Sequence, residues 1–131
     1  MAQRVGGEKK ITADHRDLHA WQEAMSLVTS VYALTQGFPK EETFGLRSQM
    51  RQAAVSVPSN IAEGAGRGTT KELRQFLLIA RGSLSELETQ VMVAKNLGYL
   101  RDIAELQQSI RRLFRLLGAL LQSLTAPRGG T

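Results

Sequence analysis

The chain has 131 residues, enough for one domain with its own hydrophobic core. It contains no cysteine, which excludes disulfides, thiolate zinc sites and cysteine nucleophiles, and no stretch approaches the roughly 18 uninterrupted apolar residues that a membrane span needs. Lysine and arginine number 17 against 12 acidic residues, and this formal net charge of +5 favours a polyanionic partner such as RNA or DNA.

Residues 1–12 are polar and lack hydrophobic periodicity, which predicts a flexible arm ahead of a domain spanning residues 13–125. The first helix is predicted from about Asp17 to Thr35, with Asp14 and Asp17 as candidate N-terminal caps. Apolar residues at alternating steps of three and four fall on one face of a helix and predict its core-facing stripe. In this helix they are Leu18, Trp21, Met25, Val28 and Tyr32.

The second helix is predicted from Glu42 or Thr43 to Glu63, with Pro58 inside it. Proline lacks an amide donor and crowds the carbonyl four residues earlier, so we expect a kink there, with a break into two short helices as the alternative. Its stripe is Leu46, Met50, Ala53 and Val57. The run Gly64-Ala65-Gly66-Arg67-Gly68 is predicted to be a tight turn between helices. It follows a helix and lacks the phosphate-loop pattern, which argues against a nucleotide site.

The third helix is predicted from Thr70 to Leu97, opened by Thr69 and Glu72 at capping-box spacing and closed by Gly98 as a left-handed residue. The fourth is predicted from about Arg101 to Leu124, followed by a flexible tail at 126–131. Both stripes keep the three-and-four spacing. They are Leu73, Phe76, Ala80, Leu84, Leu87, Val91 and Ala94, then Ile103, Leu106, Ile110, Leu113, Leu117, Leu120 and Leu124.

Four amphipathic helices with short connections predict an all-α, up-and-down four-helix bundle, because short connections favour antiparallel neighbours. Further apolar residues flank the stripes, and a helix with so much apolar circumference is either central or covered by another subunit. We therefore expect a homo-oligomer; the alternative is that these residues only widen the intramolecular core. They are Ala24, Leu27, Val31 and Leu34, then Leu78, Ile79, Met92 and Val93, then Phe114, Leu116 and Leu121.

The candidate binding residues are basic side chains that share helix faces. Guanidinium groups bind phosphate through paired donors, and counterion release drives the association. The densest group is on the fourth helix, and the alternative is that these charged faces are only solvated. The predicted nucleic-acid-binding residues are Arg111, Arg112 and Arg115, then Arg47 and Arg51, then Arg67, Lys71 and Arg74.

No catalytic residue, cofactor or metal ligand is predicted. His15 and His19 have the spacing of two ligands on a helix, but no third ligand is obvious in the sequence. Gln49, Asn60 and Glu63 on the second helix are interpreted as hydrogen-bonded packing around its proline. An active site between subunits at Asn60 and Glu63 stays as the alternative.

Several stretches of this sequence resemble a known family. The most specific is Val55-Ser56-Val57-Pro58-Ser59-Asn60-Ile61-Ala62-Glu63-Gly64. The others are Asp17-Leu18-x-x-Trp21-Gln22-x-Ala24-Met25, Phe38-Pro39-x-x-Glu42-x-Phe44-Gly45-Leu46-x-x-Gln49-x-Arg51, Phe76-Leu77-x-Ile79-Ala80-x-Gly82-Ser83-x-x-Glu86-Leu87-Glu88-Thr89-Gln90 and Leu97-Gly98-Tyr99-Leu100. Over residues 14–122 the chain resembles the bacterial 23S rRNA intervening-sequence proteins.

That resemblance implies an up-and-down bundle that assembles into a homopentameric, five-fold ring. It also implies a similarity in fold to the accessory protein of diversity-generating retroelements, whose partners are nucleic acid and a reverse transcriptase. The family has no established catalytic motif, so the resemblance implies no catalytic residue.

These observations predict a non-enzymatic, oligomeric protein that binds RNA or DNA through basic surface patches, by contacts to phosphates with little base readout. The alternative is a protein-interaction scaffold or accessory subunit that never contacts nucleic acid, with a reverse transcriptase or another protein as partner. Since the N-terminal segment lacks the apolar core of a signal peptide, we expect a cytoplasmic protein with no membrane partner.

Overall fold

The computed structural model describes residues 14–125 and two short stretches, 4–5 and 8–9. The described chain is built from four α-helices, and the all-α class is therefore confirmed. The helices are α1 (His19–Thr35), α2 (Leu46–Gly66), α3 (Thr70–Asn96) and α4 (Ala104–Thr125).

Short elements precede the first two helices. Single 3-10 turns lie at His15–Asp17 and Lys40–Glu42. Within the predicted arm, β1 (Arg4–Val5) pairs antiparallel with β2 (Glu8–Lys9). The rest of the predicted arm, and the predicted tail at 126–131, lie outside the described residues.

Each helix packs against two others, α1 and α3 each lying against both α2 and α4. The end of α1 meets the start of α2, where Arg51 Nε donates to Thr35 Oγ1 at 2.9 Å. The end of α3 meets the start of α4, where Gln107 Nε2 donates to Met92 Sδ at 3.4 Å. One core results, and all four helices contribute to it. Its largest fully buried side chains include Leu27, Met50, Ile61, Leu77, Leu84, Leu87, Ile110, Leu113 and Leu117.

The stripe predicted for α1 is confirmed only in part: Leu18, Trp21 and Val28 are half-buried against the core, but Met25 and Tyr32 are wrong. Met25 and Tyr32 are 44% and 42% exposed, whereas the adjacent set with the same helical spacing is buried. Spacing alone cannot choose between two neighbouring apolar stripes, because both satisfy the helical period. The buried residues of α1 are Ala20, Ala24, Leu27, Val31 and Thr35.

The stripes predicted for α2, α3 and α4 are confirmed at most positions. Two residues are replaced in the core by their neighbours. In α3, Leu77 is buried and Phe76 only half-buried. In α4, Leu121 is buried and Leu120 half-buried. Each change moves the core contact one position along the helix, within the width of an apolar face.

The start of α1 differs from the prediction. Asp14 caps the preceding 3-10 turn, where its Oδ1 accepts from the Arg16 amide at 2.9 Å. Asp17 lies inside that turn, and the N-cap of α1 is Leu18, whose side chain makes no capping bond. A carboxylate therefore stabilises the turn rather than the helix that follows it.

The joint between α2 and α3 is shorter than predicted. α2 runs through Pro58 without a break and ends at Gly66. Gly64 is buried against α3, where an added Cβ would lie 2.8 Å from the Phe76 Cβ. This glycine allows two helices to approach closely rather than forming a turn. Gly68, with φ +87°, is the residue that needs glycine for its backbone conformation.

Both predicted ends of α3 are confirmed. The Thr69 hydroxyl accepts from the Glu72 amide at 3.2 Å and donates to the Glu72 carboxylate at 3.2 Å. Gly98 has φ +82°, as expected for a left-handed residue after a helix. α4 begins later than predicted, at Ala104, whose amide is capped by Asp102 Oδ1 at 3.1 Å.

Candidate nucleic-acid interface

The solvent side of α4 carries the densest group of basic residues. Gln108, Arg111, Arg112 and Arg115 follow the helical spacing of three, four and seven, so they share one face, here named the α4 basic face. All four are exposed, and together they line a shallow cleft of about 210 Å³. This face points away from buried Leu113. One side of α4 therefore packs in the core, while the opposite side presents positive charge to solvent.

Two of the three arginines on the α4 basic face lack an ion-pair partner in the part of the chain that the structure describes. Arg112 Nη1 donates to Glu23 Oε1 of α1 at 2.9 Å. Arg111 and Arg115 form no ion pair with any residue that the structure describes. An exposed guanidinium without a carboxylate partner keeps its paired donors available for phosphate.

Arg51 of α2 is occupied by neutral groups of α1. Its Nε donates to Thr35 Oγ1 at 2.9 Å, and its Nη2 donates to the Tyr32 carbonyl at 3.1 Å and to Gln36 Oε1 at 3.2 Å. Its guanidinium carbon also lies 4.4 Å from the centre of the Tyr32 ring. Arg51 therefore anchors the end of α1, and its charge is held in place but not neutralised.

Arg47 lies one turn before Arg51 and lines the same groove between α1 and α2. This groove has a volume of about 570 Å³. Arg47 forms no ion pair within residues 14–124. The prediction that Arg47 and Arg51 lie on one face is confirmed, because both line this groove. Arg51 is held by hydrogen bonds to α1, whereas the guanidinium of Arg47 is available to a ligand.

The third predicted group surrounds the joint between α2 and α3. Arg67 pairs with Glu63 at 3.1 Å and with Glu72 at 3.6 Å, and its guanidinium carbon lies 5.1 Å from the centre of the Phe76 ring. Two carboxylates already compensate this arginine, which makes it the weakest phosphate ligand of the set. Lys71 and Arg74 are exposed nearby on α3 and form no ion pair with the described residues.

The eight predicted residues form three separate patches, not one. Arg47 lies at the start of α2 and Arg67 directly after its end, which places them about 30 Å apart along the helix axis. α4 packs against α1 and α3 and not against α2, so its basic face is distinct from both other patches. Sequence spacing groups residues on one helix but does not say which helix faces meet.

The polar residues of α2 divide between two arrangements. Asn60 Nδ2 donates to the Ser56 carbonyl at 2.8 Å and to Ser56 Oγ at 2.9 Å, and Ser56 Oγ lies 2.8 Å from Ser83 Oγ of α3. Glu63 instead pairs with an arginine, and Gln49 is exposed. The expected hydrogen-bonded packing is present at Asn60, where it joins α2 to α3, but Gln49 and Glu63 do not share it.

Two titratable groups have shifted pKa values. The hydrogen bond from the Arg16 side chain lowers the pKa of the Asp14 carboxyl well below its usual value. The Tyr99 hydroxyl donates to Glu42 Oε2 at 3.1 Å, and this bond raises the pKa of Tyr99. Because Glu42 Oε1 also accepts from the Leu46 amide at 2.9 Å, one carboxylate joins the loop after α3 to the start of α2.

The histidines lie apart from these patches. The ring of His15 contacts Trp21 edge-on, with 5.2 Å between ring centres, and His19 lines a small cleft between α1 and α4. Among the described residues, no three His, Asp or Glu side chains cluster closely enough to hold a metal ion. None of the described helices combines the length and apolar character that crossing a membrane requires.

The structural class that emerges is an all-α, four-helix protein with a basic outer face on its last helix. The sequence model of the 23S rRNA-intervening sequence protein family matches residues 16–119, and the chain belongs to this family. The resemblance found in the sequence is thereby confirmed. Among curated proteins, none matches this chain.

Two features of the site were missed by sequence reasoning. Glu23 lies 89 positions from Arg112 in the chain, so no local pattern signals their pairing. Phe44 is 95% exposed, although an isolated phenylalanine in a sequence suggests a buried residue. Both features depend on how distant elements are arranged.

Proposed function

We propose that this protein is non-enzymatic and binds nucleic acid through the α4 basic face. The observation that carries the proposal is that Arg111 and Arg115 are exposed, lie one turn apart and have no carboxylate partner among the described residues. Two guanidinium groups at this spacing can each bind a phosphate bidentately, and Gln108 adds a further hydrogen-bonding group beside them.

Binding of this kind recognises the phosphate backbone more than the bases. It is driven by release of counterions and weakens as salt rises. The family's description refers to intervening sequences of rRNA, so we place RNA ahead of DNA as the partner and the cytoplasm as the site of action. Lys71 and Arg74 are proposed as secondary contacts outside the α4 basic face.

We also propose that the helices form an up-and-down bundle. The pair Arg51–Thr35 joins the start of α2 to the end of α1, and Gln107–Met92 joins the start of α4 to the end of α3. Both contacts are those of antiparallel neighbours joined by a short connection.

The proposed assembly is a homo-oligomer, a five-fold ring as the resemblance implies. Part of the apolar surface that flanks the stripes is not used inside the chain: Leu34, Met92 and Val93 are each 40% exposed and Ile79 is 48% exposed. A ring covers such surface and repeats the α4 basic face in every copy. Several weak phosphate contacts then act together with higher avidity.

The experiment is a filter-binding titration with double-stranded RNA, and with DNA of the same length as a second probe. The test variant carries Arg111→Ala, Arg112→Ala and Arg115→Ala. The control carries Arg81→Ala, Lys95→Ala and Arg101→Ala, which removes the same charge from other exposed positions. We expect the test variant to lose at least about tenfold in affinity and the control much less. Equal losses in both variants would contradict a role specific to α4.

A second candidate function is a protein-interaction scaffold or accessory subunit, with a reverse transcriptase or another protein as partner. Exposed Met92, Val93 and Leu97 at the end of α3 favour it. Salt separates the two candidates, because apolar contacts tolerate concentrations that dissociate phosphate contacts. Capture of a partner that persists at high salt, without any RNA binding, would favour the scaffold.

A further inference from the structure

Phe44 is the most exposed large apolar side chain in the described part of the chain, at 95%. It lies between the 3-10 turn Lys40–Glu42 and the start of α2, and it packs against none of the core residues. An aromatic side chain offers a large area for burial at small conformational cost, which makes it suited to a contact between proteins.

The groove between α1 and α2 combines apolar surface with uncompensated positive charge. Tyr32 and Val55, which line it, are 42% and 39% exposed. Arg47 and Arg51 line it as well, and neither has a carboxylate within ion-pair distance among the described residues. A suitable occupant therefore brings an apolar group and a negative charge together.

The segment that carries Phe44 also carries an acidic residue. Glu41 lies in the 3-10 turn Lys40–Glu42 and Phe44 lies two residues after that turn ends; residues 41–44 are here named the Glu41–Phe44 turn. Glu41 is exposed and forms no ion pair within residues 14–124. This turn therefore presents an apolar ring and a negative charge, which complement the apolar surface and the positive charge of the groove.

Phe44 does not occupy this groove in its own chain. Its side chain is 95% exposed and is not among the residues that line the groove. Val55 lies nine residues beyond the start of α2 at Leu46, which is about 14 Å along the helix axis. A contact between Phe44 and Val55 therefore calls for a second copy of the chain.

We infer that the Glu41–Phe44 turn of one copy docks into the α1–α2 groove of a second copy. The Phe44 ring packs against Tyr32 and Val55, and the Glu41 carboxylate pairs with Arg47. This inference rests on the self-assembly in the proposed function and is independent of the α4 basic face.

The first test measures the mass of the full chain by light scattering. We expect an oligomer for the unchanged chain and a smaller species for Phe44→Ser, with an unchanged helical circular dichroism spectrum. The control is Met25→Ser, which removes a 44% exposed side chain of α1 outside the groove and is expected to keep the oligomer. If Phe44→Ser keeps the full mass, the contact is overturned and the assembly stands. If the unchanged chain is a monomer, both are overturned.

The second test exchanges the charges of the proposed ion pair. Glu41→Lys and Arg47→Glu are each expected to lower the mass, and the two substitutions in one chain are expected to restore it. Failure of the double variant to reassemble overturns the Glu41–Arg47 pairing. If Phe44→Ser and Arg47→Glu instead keep the oligomer but lose RNA binding, the groove holds nucleic acid and the inference is wrong. Loss of RNA binding in the α4 triple variant concerns only the proposed function.

Discussion

Arg112 on α4 donates a hydrogen bond to the Glu23 carboxylate on α1, with 2.9 Å between Nη1 and Oε1. This ion pair joins the first helix to the last. The arginine side chain is 49% exposed, and an ion pair in such a position contributes only about 0–1 kcal/mol to stability. Its greater effect is on binding, because Glu23 competes with phosphate for one of the three arginines of the α4 basic face.

Replacing Glu23 tests that competition. Glu23→Gln frees Arg112, and we expect RNA affinity at low salt to rise by roughly threefold to tenfold. Arg112→Gln breaks the same ion pair but removes the cation, so its affinity is expected to fall. Both variants lose the same ion pair, and filter binding is expected to show a higher RNA affinity for Glu23→Gln and a lower RNA affinity for Arg112→Gln. Weaker binding in both would mean that the ion pair supports the site rather than competing with it.

Two glycines near the end of α2 are predicted to respond in opposite directions to alanine. At Gly64 an added Cβ meets Phe76 Cβ at 2.8 Å and the Leu73 Cα at 3.2 Å, so Gly64→Ala is expected to lower the free energy of unfolding by about 1–3 kcal/mol. At Gly66 nothing lies within 4 Å, and Gly66→Ala is expected to raise it by up to about 1 kcal/mol. Urea denaturation measures the free energy of unfolding of both variants. Equal changes in the two variants would contradict the close approach of α2 and α3.

The pKa of Tyr99 provides a test at alkaline pH. The hydrogen bond to Glu42 raises it above the usual value of 10.0, so the stability from this bond is present below that pH. That stability is lost as the pH rises through the folded-state pKa. The chain has two tyrosines, and ultraviolet titration of tyrosinate compared between the unchanged chain and Tyr99→Phe isolates the titration of Tyr99. Glu42→Gln is expected to bring the Tyr99 pKa back down; a Tyr99 pKa unchanged in that variant would exclude Glu42 as the cause.

Two neighbouring residues of α1 test which stripe forms the core. Leu27 is 2% exposed, and Leu27→Ala is expected to cost about 2–5 kcal/mol of unfolding free energy. Met25 is 44% exposed, and Met25→Ala is expected to cost less than about 1 kcal/mol. Chemical denaturation monitored by circular dichroism gives both values. A larger loss of unfolding free energy for Met25→Ala than for Leu27→Ala would mean that the stripe predicted from the sequence forms the core.

The helices themselves were predictable because their signals are local. The end of α1 at Thr35, the cap at Thr69 and the left-handed Gly98 each depend on a few consecutive residues. The core-facing stripe of α1 was not predictable in the same way, because two adjacent apolar sets share the helical period. Only packing against the other helices decides which set faces the core. Gly64 was misassigned for a similar reason, since its role depends on a second helix.

The candidate site was predictable only within one helix. The spacing of Arg111 and Arg115 places them on one face in any α-helix, and the structure keeps them there. The neutral partners of Arg51 come from α1, and the carboxylates around Arg67 come from both sides of the joint between α2 and α3. Local spacing does not show these partners, so all of these arginines were predicted alike. The separation into three patches likewise follows from helix packing.

The most direct test of the central claim is the salt dependence of RNA binding, compared between the unchanged chain and the Arg111, Arg112 and Arg115 triple alanine variant. Each phosphate contact contributes about one unit to the slope of log affinity against log salt concentration. We predict a steep slope for the unchanged chain, shallower by about two to three units in the triple variant. An identical slope in both would contradict phosphate binding by the α4 basic face.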